Sequence, residues 1–380
     1  MGMGCRVWGI GDRMSGIGYR VSGVALVFAL VVAQGVGAAQ SAGAIRGHSS
    51  DWSERTARAA MVRWPEGRFV AAGDRWVWNY ELGTLLMGVD GVWRRTGEGK
   101  YFQYIQGAVD QFVGADGSIA TYKVEEYQLD SVLLGRQLLL LYRVTKQEKY
   151  RNAATVLYEQ LKHQPRTASG GFWHKERYPN QMWLDGLYMA EPFYAEYAEM
   201  FHHPEAVADI GLQFRLMDAN ARDAKTGLLR HGWDESRQQR WADKETGQSP
   251  EVWSRAMGWM MMALVDTLDY LPEGSAEHRE LVAELERNAA AVVRYQDKDS
   301  GLWWQVMDEG GKAGNYLESS GSCMFVYALG KGVRRGYLGK EYWASAERGW
   351  KGIVERFVEA GAGGDVTVKG TVKVGGLGGP

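Results

Sequence analysis

The chain has 380 residues, with 44 Lys and Arg against 46 Asp and Glu and a formal net charge of −2. At 45% hydrophobic and 24% charged it is globular in composition, which excludes disorder, collagen and coiled coil as overall classes, and its charge gives no electrostatic reason for a nucleic-acid partner. Two cysteines, Cys5 and Cys323, cannot build a disulfide framework, whereas 16 Trp and 19 Tyr suffice for a core and also suit a carbohydrate groove.

In chain order, the first segment reads as an address. Arg13 and Arg20 precede an apolar run over 24–33, and small residues follow at Gly35-Val36-Gly37-Ala38-Ala39, suited to cleavage after Ala38 or Ala39. The run is short and Gly-rich for a membrane span, so 1–39 is expected to be a signal peptide and 40–380 a single exported domain, periplasmic or secreted, without stable membrane insertion after cleavage. At the other end, 361–380 is Gly-rich and stops at Gly378-Gly379-Pro380, where nothing follows to dock the turn. A truncated C-terminus is the expectation.

Between these ends a loose repeat recurs. Turns with Gly lead into apolar pairs at Asp116-Gly117-Ser118-Ile119, Gly170-Gly171-Phe172-Trp173, Thr226-Gly227-Leu228-Leu229 and Ser300-Gly301-Leu302-Trp303. After each comes a polar start, around Asp130, Asp185, Ser254 and Ser319, and then a strongly apolar helix: 132–142, 187–200, 256–271 and 323–332. More polar helices over 149–163, 205–219 and 276–296 alternate with these. The last shows spacings of three and four in Leu281, Leu285, Ala289, Val292 and Val293, the mark of one buried face. Stacked helix pairs form either an open solenoid or a closed α/α toroid. The polar segments all fall at the starts of the apolar helices, and only in a closed ring do these starts converge on one pocket, so the toroid is favoured.

Chemistry-bearing residues concentrate between Gly170 and Trp259. The strings are Gly171-Phe172-Trp173-His174, Trp183-Leu184-Asp185-Gly186-Leu187-Tyr188-Met189, His231-Gly232-Trp233-Asp234-Glu235-Ser236-Arg237 and Trp253-Ser254-Arg255-Ala256-Met257-Gly258-Trp259. Together they resemble the unsaturated rhamnogalacturonyl hydrolases of glycoside hydrolase family 105, over nearly all the chain from about Trp78. The resemblance implies an all-α (α/α)6 barrel. It also implies removal of a 4,5-unsaturated galacturonyl residue from the non-reducing end of lyase-cut pectin oligosaccharides, with no cofactor and no metal. An acid protonates the ring's double bond, water adds at the neighbouring carbon, and the hemiketal opens and expels the rest of the chain. Two departures stand out. Family members continue past the Gly-rich turn into an aromatic segment and a last helix, so an unclosed barrel is expected here. Glu191 occupies a position where a smaller or amide residue is expected.

Asp185 is the expected proton donor. Its flanks, Trp183-Leu184 and Leu187-Tyr188, would desolvate it and raise its pKa, although Asp before an apolar helix is also an ordinary N-cap. Asp130 matches the family's second acid and is expected to raise Asp185 further by repulsion. His231 matches the active-site histidine, and His174 is a second substrate-binding candidate. Arg255 offers a planar fork to a uronate carboxylate, the alternative being an ion pair with Asp234 or Glu235. Trp183, Trp233 and Trp253 suit a stacking wall for sugars, whereas Trp259 and Met260-Met261-Met262 read as core. No Cys/His cluster has zinc spacing. The rival readings are an unsaturated glucuronyl hydrolase on the same fold, a non-catalytic carbohydrate-binding toroid, and a polysaccharide lyase, which would create the unsaturated bond instead of consuming it.

Overall fold

A computed structural model describes residues 46–68, 76–361, 366–373 and 375–377. The signal peptide expected over 1–39 lies outside the described residues. The helices are α1 (Arg46–Arg63), α2 (Tyr80–Thr96), α3 (Gly99–Asp110), α4 (Gly135–Thr145), α5 (Glu148–Lys162), α6 (Leu184–Phe201), α7 (Ala206–Ala221), α8 (Ser254–Thr267), α9 (Ala276–Arg294), α10 (Ser319–Arg335) and α11 (Tyr342–Phe357). Two small antiparallel ladders pair β1 (Gln181–Trp183) with β2 (Gly232–Asp234) and β3 (Val358–Ala360) with β4 (Val366–Val368). No helix among the described residues is long and apolar enough to cross a membrane.

The alternation seen in the sequence becomes two rings. Every residue of α8 is buried, so it must be surrounded by protein on all sides. In α9 burial is confined to a stripe that includes Leu281, Leu285, Ala289 and Val292, which places it outside. The even-numbered helices α2, α4, α6, α8 and α10 form the inner ring, each packed on the next, and α3, α5, α7, α9 and α11 return outside them. This is the (α/α)6 toroid, to which the described residues contribute five complete hairpins and the outer helix α1. The β4 strand packs on α1, so the two ends of the described chain meet.

The repeated turns have one geometry. Gly117, Gly170, Gly227 and Gly301 all have positive φ, between 72° and 96°, where a side chain would be strained. Asp116, Asp223 and Asp297 close three of these turns by accepting backbone N–H bonds from Ser118, Thr226 and Ser300. Helix ends are set locally as well. Asn79, Ser275 and Glu318 cap α2, α9 and α10, and Gly97 and Gly336 stop α2 and α10 in the left-handed region.

Candidate active site

The β1–β2 ladder builds the centre of the site. Trp183 pairs with Gly232, and the next bond, Leu184 N–H to His231 O at 3.0 Å, carries the ladder into the first residue of α6. That register sets His231 beside Asp185. Its Nε2 lies 2.8 Å from Asp185 Oδ2. Asp185 is the second residue of α6 and does not cap it; the cap position is Trp183, which makes no side-chain cap bond. Gly232 keeps the crossing tight, because a Cβ there would come within 3.1 Å of Trp183 Cδ1.

Asp130 reaches the same place from the preceding inner helix. It lies in a 3₁₀ turn, Leu129–Ser131, tied down by Leu129 N–H to His174 O at 3.2 Å. That turn is why α4 starts at Gly135 and not at 132. Lys175 Nζ donates to Asp130 Oδ2 at 2.5 Å, and His174 Nε2 lies 3.4 Å from Oδ1. Both acids keep a window to solvent, 14% of the Asp130 side chain and 17% of Asp185.

The electrostatics correct one expectation. Burial does push Asp185 upward, as its apolar flanks suggest, but the charge and hydrogen bond of His231 outweigh it, and the carboxyl is held below its usual range. Asp130 behaves likewise: burial raises it, yet Lys175 and His174 bring it below the ordinary value. His174 is lowered to about 4, by burial first, and is neutral at pH 7.

Rings surround this group. His174 and Tyr178 each stack on Trp183, at 4.7 and 4.9 Å between centroids, and His231 meets Trp183 at 5.3 Å and Trp253 at 5.0 Å. Gln181 Oε1 accepts from Trp183 Nε1 at 3.1 Å and fixes the indole. Trp183 and Trp253 are each only 8% exposed and pack against the histidines. Trp233 is buried in the core under the 243–248 turn and makes no ring contact with His231. Trp259 and the three methionines after it are core, as read from the sequence.

Arg255 is built in more firmly than a free fork. Nε donates to Ser320 Oγ at 2.8 Å and Nη2 to Val372 O at 2.5 Å, with Glu318 Oε1 3.9 Å away. Its acidic neighbour is thus Glu318, not Asp234 or Glu235. Asp234 instead holds its own turn through Ser236 and Gln239, and Glu235 accepts from Ser169.

Two pocket residues escaped the motif analysis. Lys175 supplies the cation nearest Asp130. Tyr80, first residue of α2, has its hydroxyl raised by burial first and then by Glu81 and Asp130, and it also feels Arg255 and Asp185. Adjacency to His174 was a usable signal for Lys175; Tyr80 carried none. Among the described residues no group of three or more His, Cys, Asp or Glu side chains is arranged to hold a metal ion. The residues gathered here can exchange a proton within an acid–imidazole pair, accept sugar hydroxyls on a second carboxylate and attract an anion through Lys175.

Comparison with known proteins gives the family. The profile of Glycosyl Hydrolase Family 88 matches residues 52–380, some way upstream of Trp78. A family 105 glycoside hydrolase structure from C. acetobutylicum ATCC 824 superposes with a TM-score of 0.83 at 40% identity, covering 87% of this chain and 89% of that one. Protein Atu3128 of Agrobacterium fabrum is 43% identical over 195 residues, 50% of this chain and 82% of that protein. The unsaturated rhamnogalacturonyl hydrolase YesR of Bacillus subtilis is 26% identical over 258 residues, 66% of this chain and 70% of YesR. With a family profile spanning most of the sequence and a family 105 structure laid over nearly all of it, the chain belongs to the glycoside hydrolases of families 88 and 105, the unsaturated uronyl hydrolases.

Proposed function

We propose that the protein removes a 4,5-unsaturated galacturonyl residue from the non-reducing end of lyase-generated rhamnogalacturonan oligosaccharides by hydrating the double bond. The observation that carries the reading is the 2.8 Å contact between Asp185 and His231, beside Asp130 and its lysine, with both carboxylates mostly buried. The choice of rhamnogalacturonan draws its support from the likeness to YesR.

In the free protein His231 favours the ionised form of Asp185. An unsaturated uronate brings its own carboxylate and displaces water, and both changes favour protonated Asp185, which takes its proton from solvent as the substrate binds. Asp185 delivers that proton to C4 of the substrate. Positive charge develops at C5 and the ring oxygen, water adds at C5, and the water's proton returns to Asp185. Opening of the hemiketal then releases the rest of the oligosaccharide. Asp130 stays ionised through Lys175 and accepts a sugar hydroxyl, and Lys175 is the cation beside the two acids that the uronate carboxylate can approach. Export, read from residues 1–39, belongs to the same proposal.

The test follows the ultraviolet absorbance of the unsaturated uronyl group. Absorbance of a lyase-cut rhamnogalacturonan disaccharide should fall with time. Loss on unsaturated glycosaminoglycan disaccharides alone would assign the protein to the glucuronyl enzymes. A rise on intact polymer would make it a lyase and overturn the proposal, and no change with folded protein would leave a binding toroid.

A further inference from the structure

Glu191 is not used by the chemistry above. It lies on α6 six residues after Asp185, about 9 Å along the helix axis. A small cavity lies between it and the site, lined by Leu129, Phe172, His174, Met182, Glu191 and Gln213 among others, with room for about one water molecule. Two buried polar atoms on its lining residues have no protein partner, His174 Nδ1 and Glu191 Oε2, on side chains 3% and 1% exposed. Buried polar atoms without partners are rare, and a pair of them on one cavity is the usual setting of an internal water.

We propose that Glu191 is a positioning residue for His174: through one water held in this cavity, it fixes which ring nitrogen of His174 carries the proton.

The direction follows from the charges around Glu191. The nearest cation, Arg166, is committed to Asp209 by two bonds of 2.7 Å and lies over the Phe172 ring. Burial therefore raises the Glu191 carboxyl well above its usual range, and Asp209 raises it further. A neutral carboxyl has an O–H to donate. Donation from Glu191 to the water, and from the water to Nδ1, leaves Nδ1 the acceptor and puts the proton on Nε2. That nitrogen faces Asp130 at 3.4 Å. With Nε2–H as donor, His174 helps keep Asp130 ionised; with the other tautomer, a lone pair would face the carboxylate. Gly186 leaves the ring its room, since a Cβ there would come within 3.0 Å of Nδ1.

The test is nuclear magnetic resonance of the full chain labelled with ¹⁵N-histidine at pH 7. In the wild type, His174 should show a protonated Nε2 and a bare Nδ1. Glu191→Gln, which keeps a donor, should preserve that pattern, whereas Glu191→Leu should mix or invert it. A protonated Nδ1 in the wild type, or an unchanged tautomer in folded Glu191→Leu, overturns the proposal. The wild-type spectrum decides even if Glu191→Leu does not fold. Only the rate consequence rests on the hydrolase reading: kcat should fall roughly tenfold in Glu191→Leu, with KM changed less, and recover in Glu191→Gln. If no substrate is turned over, the hydrolase reading fails while the tautomer result stands.

Discussion

Two clusters of buried charge share one ring of helices and are built on opposite terms. Asp266 on α8 is fully buried and accepts from Arg136 at 2.7 Å, Lys331 at 2.6 Å and Tyr327 at 2.7 Å. Lys331 also meets Asp269 at 2.7 Å, and Arg143 holds Glu196 at 2.9 Å. This cluster is closed: burial pushes Asp266 up, but Lys331 and Arg136 bring it far below its usual range. At the helix starts, Asp130 and Asp185 have fewer partners and keep an opening to solvent. Neighbouring charge holds carboxylates ionised in both places. Only the second leaves a carboxylate whose protonation an arriving anion would favour, and in the proposed reading this difference in compensation, not burial itself, separates a structural ion cluster from a reactive one.

The strongest way to sharpen that contrast is Asp266→Ala. It leaves Arg136 and Lys331 buried without their shared partner and should cost about 3–5 kcal/mol of folding stability in denaturant titrations. Turnover per folded molecule should not change.

Next is the pH dependence of stability. His174 has a folded value of about 4 against 6.5 when free, so the unfolded chain binds more protons between these limits. Stability should therefore fall as pH drops from 6.5 to about 4, by on the order of 3 kcal/mol. Asp185, whose folded pKa is depressed, contributes stability above its free value of 3.8 that is lost at lower pH, as the folded group protonates. In His174→Asn the slope between pH 4 and 6.5 should flatten, while the loss at lower pH remains. An unchanged slope would mean that His174 is not the group responsible.

A smaller effect is expected at the border of the site. Ser320→Ala removes the acceptor for Arg255 Nε and should cost about 0.5–1.5 kcal/mol in thermal unfolding. Because Arg255 also holds Val372, amide exchange in the 370–372 segment should quicken. A change in exchange at α8 alone would place Arg255's effect elsewhere.

The fold was legible where the signal was periodic. The apolar runs over 187–200 and 256–271 reappear as α6 and α8, and the stripe through Leu281 and Leu285 as the exposed helix α9. Around the site, Asp185 and His231 were legible as members of dense strings. Their mutual contact was not, since it depends on the β1–β2 register across 46 positions. The pKa of Asp185 was misjudged for the same reason: its apolar flanks are local in sequence, whereas the imidazole that outweighs them is not. Asp266 is an isolated charge in an apolar helix, and its partners stand 130 and 65 positions away. Arg255 looked like a free fork because Val372, 117 residues later, gives no sign in the sequence of returning to it.

The central claim is that Asp185 matters far more to chemistry than to folding. It is tested most directly by measuring absorbance loss on lyase-cut rhamnogalacturonan disaccharide with Asp185→Asn, alongside that variant's Tm. The account predicts a kcat lower by roughly 10²–10⁴ with Tm within a few degrees of wild type at pH 7. Wild-type turnover in Asp185→Asn, or a collapse of Tm like that of Asp266→Ala, would contradict it.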